Sequence, residues 1–361
     1  MLDYLFSLLS HDVGIDLGTA NTLVYVKGKG ILIREASVVA RHRKTGQILA
    51  IGEEAKKMLG RSPATIEVVR PLKDGVIADF DATEVMLKHY ILQVHESGKA
   101  IPRIPKPRVV VGIPSGVTEV ERRAVQEAAL SAGARQCYLI EEPMAAAIGA
   151  GLPIDGAGGV MVVDVGGGTT EMAVISLGGI VANKSIRVAG DELDEAVVHY
   201  MRLKYNVLVG ERTAEDIKIT LGNAHMKAFE AVGGEEESGS KGVKFMVIRG
   251  RDIESGLPKS IKISSTEVRE ALMPVLREIV SMVADLIEET PPELVGDILE
   301  RGIVMCGGGS LIAGFDRMMS EETRVPVFVT EDPMTAVVRG CGRVLDDAKL
   351  LGRVKVVGGL R

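Results

Sequence analysis

The sequence predicts an α/β protein made of two similar halves facing each other across a cleft. Three observations predict it: apolar strand-like runs that alternate with capped helical segments, an internal repeat built on an Asp-containing hairpin, and a glycine-rich turn late in the chain. At 361 residues the chain has room for more than one domain of about 150 residues. Its 46% hydrophobic and 25% charged residues are ordinary for a globular protein, and 42 Gly beside 14 Pro indicate tight turns rather than a disordered linker.

VGIDLG (13–18), NTLVYV (21–26), VVVGIP (109–114), CYLI (137–140), VMVVDVG (160–166), EMAVISL (171–177) and IVMCGGG (303–309) read as strands, several apolar enough to be buried on both faces. The helices between them carry start and stop signals. Thr118 with Glu121 forms a capping box that opens EVERRAVQEAALSA, which Gly133 closes. Ser264 with Glu267 opens a second long helix that stops before Pro291 and Pro292, with Pro274 in its early turns or kinking it.

The repeat relates Gly14–Val26 to Val162–Ile175. Each copy runs strand, Asp, apolar residue, Gly, small polar residues, strand, so Asp16 and Asp164 are equivalent. A single Asp-x-Gly-Thr string is an ordinary hairpin turn. Two copies are different, because Gly-rich turns leave backbone N–H groups free to converge on an anion, and opposed turns clamp a polyphosphate from both sides. Carboxylates beside phosphates repel them unless a hydrated Mg²⁺ stands between. The third element, VMCGGGSLIAGF (304–315), follows a strand and suits close approach to a flat nucleoside.

Other chemistries are excluded. A net charge of -6 without a basic stripe speaks against nucleic acid, and 3% aromatics with no Trp speak against base-stacking surfaces. Cys137, Cys306 and Cys341 are too scattered for a disulfide framework, which points to a reducing cytosol, and the six His lack zinc-ligand spacing. No apolar run approaches the ~20 residues that span a bilayer.

In order, IDLGTANT, LIEEPMAAAIGAG, VVDVGGGTTEMAV, IVMCGGGSLIAGF and PMTAVVRGCGRVL resemble the phosphate 1, connect 1, phosphate 2, adenosine and connect 2 motifs of the actin, Hsp70 and sugar-kinase superfamily. VRPLKDGVIADFDAT, VGIPSGVTEVERRAV and VAGDELDEAV narrow the resemblance to the MreB family of bacterial actins over nearly the whole chain. That resemblance implies an actin-like ATPase fold: two RNase H-like halves around a nucleotide cleft, each with a small inserted subdomain. It implies subdomain IA at 1–32, 77–151 and 331–361, IB at 33–76, IIA at 152–184 and 261–330, and IIB at 185–260.

The same resemblance implies ATP/ADP with Mg²⁺, the metal organised by Asp16 and Asp164 through water. Gly18, Thr19, Ala20 and Asn21 match the first phosphate loop, and Gly166, Gly167, Gly168 and Thr169 the second. Glu215 and Lys218 match the ribose and adenine contacts, with Gly307, Gly308, Gly309 and Ser310 across the base; a solvated helix position is the other reading of Lys218. The attacking water needs positioning more than strong base catalysis. Glu142, preceding Pro143 as in Hsp70-type sequences, is the first candidate, with Thr169 helping; matching to actin favours Glu141, and both acids also suit a helix N-terminus.

A cytoskeletal ATPase is the leading function. A sugar- or acetate-kinase enzyme is second, but no Asp or Arg motif resembles an acceptor-site base; an Hsp70-like chaperone lacks chain after connect 2 for a peptide-binding domain. The family's partners are further copies of itself in paired, antiparallel protofilaments, the inner membrane surface, and the wall-elongation proteins RodZ, MreC and MreD, which places the chain in the cytoplasm, peripheral on the membrane's inner face. Leu2, Leu5, Phe6 and Leu9 form an apolar helical stripe, and Ile101 and Ile104 lie in a loop that meets lipid in the family. Packing of the stripe on its own domain is the alternative. Cys306 and Cys341 read as packing variants, and 233–242 as a solvated acidic hairpin loop.

Overall fold

The computed structural model describes residues 10–96, 106–225 and 242–356. Leu2, Leu5, Phe6, Leu9, Ile101 and Ile104, and all but the last residue of the acidic loop at 233–242, lie outside the described residues.

The first half begins with β1 (Val13–Leu17), β2 (Asn21–Val26) and β3 (Gly30–Ala36). Next come β4 (Val39–His42), β5 (Ile48–Ile51), helix α1 (Glu53–Lys56), β6 (Ile66–Val69), β7 (Leu72–Lys73) and β8 (Val76–Ile77). Helix α2 (Phe80–Glu96), β9 (Arg108–Ile113), α3 (Glu119–Ser131), β10 (Gln136–Glu141) and α4 (Glu142–Ala150) complete it. Thr118 and Glu121 form the expected capping box at α3.

The second half contains β11 (Val160–Val165), β12 (Thr170–Ser176), β13 (Gly179–Ile186), α5 (Gly190–Tyr205), β14 (Val207–Leu208) and α6 (Glu211–Leu221). It continues with β15 (Phe245–Asp252), β16 (Pro258–Ser264), α7 (Ser265–Glu289), α8 (Pro292–Arg301), β17 (Ile303–Cys306), α9 (Phe315–Thr323) and β18 (Val327–Val329). Ser264 and Glu267 cap α7, which runs continuously past Pro274. Helices α10 (Ala336–Asp346) and α11 (Ala348–Val354) return to the first half.

The repeat seen in the sequence is a repeat of topology. The two five-stranded sheets have the orders β10-β9-β1-β2-β3 and β18-β17-β11-β12-β13. In each, the hairpin strands pair antiparallel and the strands beyond them pair parallel. Each sheet is buried under its own apolar cluster, one centred on residues such as Ile15, Met86 and Val111, the other on Val163, Leu276 and Phe315. Smaller sheets, β5-β4-β6 and β14-β15-β16, are carried by the segments between.

Between the two large sheets lie α4 and α10, and small residues let them cross closely. A Cβ on Gly149 would stand 1.8 Å from Ala336 O, and one on Gly340 1.9 Å from Ala145 O. The Ala- and Gly-rich strings EPMAAAIGA and AVVRGCG therefore serve backbone-to-backbone contact where the halves join.

Candidate functional site

The hairpin turns β1–β2 and β11–β12 meet at the floor of a cleft of about 380 Å³, within the usual size of a small-ligand site. Their contact leaves no space for larger residues. A Cβ on Gly167 would stand 2.7 Å from Ala20 Cβ, and one on Gly168 2.7 Å from Thr19 Oγ1. Thr19 Oγ1 also accepts the Gly75 N–H at 3.0 Å, and Ser37 Oγ donates to Gly18 O at 2.6 Å, so the first turn is fixed by its own half. Gly166 O and Gly167 O accept the N–H groups of Gly190 and Asp191 at 3.2 and 2.7 Å, joining the second turn to the N-terminus of α5.

Asp16 and Asp164 both line this cleft. Burial, and then the charge of Asp164, pushes the Asp16 carboxyl up to about 8, and burial pushes Asp164 up to about 6. Two carboxylates raised in this way would suit a divalent cation, whose charge opposes both shifts. Among the described residues no group of three or more His, Cys, Asp or Glu side chains is arranged to hold a metal. Mg²⁺ here would draw most of its ligands from water and phosphate oxygens, as it prefers.

The third glycine-rich element forms a 3-10 turn, Gly308–Leu311, after β17. Gly307 has φ of 79°, and a Cβ there would stand 2.4 Å from Asp164 Oδ1, so both backbone conformation and proximity to the carboxylate require glycine. Gly307, Gly308 and Gly309 line the cleft. Ser310 is buried, and its Oγ donates to Gly307 O at 2.7 Å, closing the turn.

The adjacent acids separate as their adjacency suggests. Glu142 opens α4, is buried, and lines the cleft. Burial and the charges of Glu171, Asp16 and Asp164 push its carboxyl well above the usual range. Glu141 points away and accepts from Ser115 Oγ at 3.0 Å. Thr169, Glu215 and Lys218 also line the cleft, and Asn21 closes its wall beside Ala20. Lys218 is no free surface lysine: its Nζ donates to Gly190 O and pairs with Asp194 Oδ2, both at 2.9 Å.

Several lining residues were not legible as site residues in the sequence. Glu171 sits on the floor; its signal is a lone acid in TEMAVIS, a strand buried at every position. Lys56, Arg70, Asp191 and Asp194 frame the mouth through contacts between distant segments, which local pattern does not encode.

Two similar halves, opposed Gly-rich hairpins and buried acids between them define the actin-like fold. The chain belongs to the MreB/Mbl family, whose model matches residues 10–353. It is 51% identical over 350 residues to the cell shape-determining protein MreB of Escherichia coli (strain K12), covering 96% of each. The ADP-bound crystal structure of MreB5 of Spiroplasma citri superposes with a TM-score of 0.84 at 38% identity, over 95% of this chain and 97% of that one. Its AMPPNP-bound form gives 0.84 at 39%, over 94% and 97%.

Proposed function

We propose that this chain binds and hydrolyses ATP and forms membrane-associated filaments that organise wall synthesis and maintain rod cell shape. The observation that carries the reading is the opposition of Asp16 and Asp164 in one cleft with Glu142 between the halves. The ADP- and AMPPNP-bound MreB5 structures and the cell shape-determining relative support it.

Asp16 and Asp164 would hold Mg²⁺, which neutralises the polyphosphate and polarises the γ-phosphoryl group when bound. Thr19, Gly167 and Gly168 cradle phosphates from the two turns, Glu215 and Lys218 take the ribose and base, and Gly307 to Gly309 pass beneath the nucleoside. Glu142, aided by Thr169, holds the water that attacks phosphorus; Glu141 is held instead by the Ser115 hydroxyl.

The segments at 33–76 and 185–260 serve as the small subdomains IB and IIB on the two large ones, IA (1–32, 77–151, 331–361) and IIA (152–184, 261–330). A head-to-tail contact between such subunits is heterologous and need not close, so it builds a linear filament. The protofilaments pair antiparallel. Among the described residues no helix is long and apolar enough to cross a membrane, so attachment to the inner membrane surface falls to Leu2, Leu5, Phe6, Leu9, Ile101 and Ile104. RodZ, MreC and MreD are the wall-elongation partners of this cytoplasmic, membrane-peripheral polymer.

Electron micrographs with Mg·ATP test assembly: paired straight strands are expected, and closed oligomers at every concentration contradict it. Liposome co-sedimentation tests attachment. A few apolar side chains at about 1.5 to 3 kcal/mol each bind a monomer weakly, whereas a filament multiplies them. Deleting 1–10 together with Ile101→Ser and Ile104→Ser therefore abolishes co-sedimentation of the polymer and leaves ATP binding intact; undiminished co-sedimentation contradicts the assignment.

A further inference from the structure

The two hairpins match in register but differ in chemistry. In the first, Asp16 faces Leu23 across the ladder. In the second, Asp164 faces Glu171. Directly opposed residues share a face of the sheet, so the second half sets two carboxylates side by side, 7% and 1% exposed. Like charges in such a place are destabilising, and the leucine of the first copy shows that the hairpin does not require an acid there.

The contacts of Glu171 show what the acid does. Ser185, aligned with it on β13, donates from Oγ to Glu171 Oε1 at 2.5 Å. Glu171 Oε2 accepts the Ser115 N–H at 3.1 Å. Ser115 belongs to the other half, in the turn between β9 and α3, and its Oγ donates to Glu141 Oε2 at 3.0 Å. Glu141 is the N-cap of α4, whose first residue is Glu142. The turn lies tight on the second sheet: a Cβ on Gly116 would stand 3.3 Å from Ser185 Cβ.

We propose that Glu171 is a positioning residue for hydrolysis, a tie across the seam that fixes the start of α4 through Ser115 and Glu141 and so aims Glu142 into the cleft. This rests on the reading of Glu142 as the group that holds the attacking water. Glu171 moves with the second half and Ser115 with the first. The tie therefore holds only when the halves stand as they do here, and opening the cleft releases Glu142 and halts turnover. The charge of Glu171 also acts on Glu142 directly, ranking after burial among the causes of its upward shift.

Phosphate release and ATP affinity of the full chain test this, using E171A, E171Q, S115A, E142A and the E142A/E171A double variant. E171A is expected to lower kcat by about ten- to a hundredfold, the cost of a broken hydrogen bond to a charged group, with ATP affinity within about threefold. E171Q keeps an acceptor for the Ser115 N–H and restores most of that loss. S115A keeps the N–H but drops the link to Glu141, and lowers kcat alone. Residues acting as a unit are not additive, so the double variant is no slower than E142A. Wild-type turnover in E171A, equal losses in E171A and E171Q, or an additive double variant overturns the tie. Should E171A not fold, E171Q and S115A decide: loss of turnover in E171Q or wild-type turnover in S115A overturns it. Full turnover in E142A overturns the underlying reading of Glu142, a different result from an inactive E142A beside a fully active E171A, which removes only the tie.

Discussion

Lys56 Nζ and Glu215 Oε2 lie 2.9 Å apart across the mouth of the cleft, joining α1 of one half to α6 of the other. Arg70 adds pairs to Asp191 and Glu211 at 3.2 and 3.3 Å. These contacts join the two halves beside the cleft and are expected to act as a latch on a bound nucleotide. Partly exposed pairs are worth about 1 kcal/mol at most, so Lys56→Ala is expected to speed release of a fluorescent ADP analogue by about two- to fivefold. Adding Arg70→Ala speeds it further, and high salt narrows the difference. Stopped-flow chase with unlabelled ATP measures this; unchanged release in the double variant removes the latch.

The crossing of α4 and α10 leaves no room for a methyl group. Gly340→Ala would drive a Cβ into Ala145 O, which is backbone and cannot turn aside as a flexible side chain does. Overpacking of this kind costs about 1–3 kcal/mol or more. A lower melting temperature is expected for Gly340→Ala and for Gly149→Ala, whereas Gly296→Ala, inside α8 with nothing within 4 Å of the new methyl, is expected to raise it slightly. Differential scanning calorimetry compares them.

Asp164 is expected to bear on binding rather than on turnover alone. Asp164→Ala removes one of two carboxylates that would organise Mg²⁺, and is expected to lose Mg·ATP affinity in calorimetry while the chain stays folded. Magnesium-independent binding of equal strength in the variant and the parent would separate Asp164 from the metal.

Glu267 predicts a pH dependence of stability. Burial raises its carboxyl, but hydrogen bonds from the Tyr205 hydroxyl, from Ser264 Oγ and N–H, and from Lys204 outweigh this and hold it at about 2. A folded pKa below the unfolded value near 4.5 gives stability that is present above about pH 4.5 and lost as pH falls toward 2. Glu267→Gln is therefore expected to lower the melting temperature at pH 7 and to converge with the parent near pH 2. A constant gap between the two melting curves across that range contradicts the assignment.

Much of this was legible in the sequence, for physical reasons. Asp16 and Asp164 could be paired because a hairpin of fixed pleat places equivalent residues at equivalent spots, and the topology repeats strand for strand. The capping boxes at Thr118 and Ser264 are local chemistry and appear where expected. Glu171 stands inside the second hairpin motif, but its role is not legible there, because its meaning lies in its cross-strand neighbour and in a serine 56 positions away. Lys56 and Arg70 were invisible for the same reason: they act only once two distant segments close over the cleft. Ser310 shows the converse, a motif residue whose hydroxyl is spent on its own turn.

The central claim is that Glu142, at the seam of the two halves, holds the water for ATP hydrolysis. Phosphate release from the purified chain under Mg·ATP, compared with Glu142→Ala at matched nucleotide occupancy, tests it most directly. The variant is expected to bind ATP like the parent and to release phosphate at least about a hundredfold more slowly, because positioning matters only on the way to the transition state. Equal rates in the two proteins would contradict it.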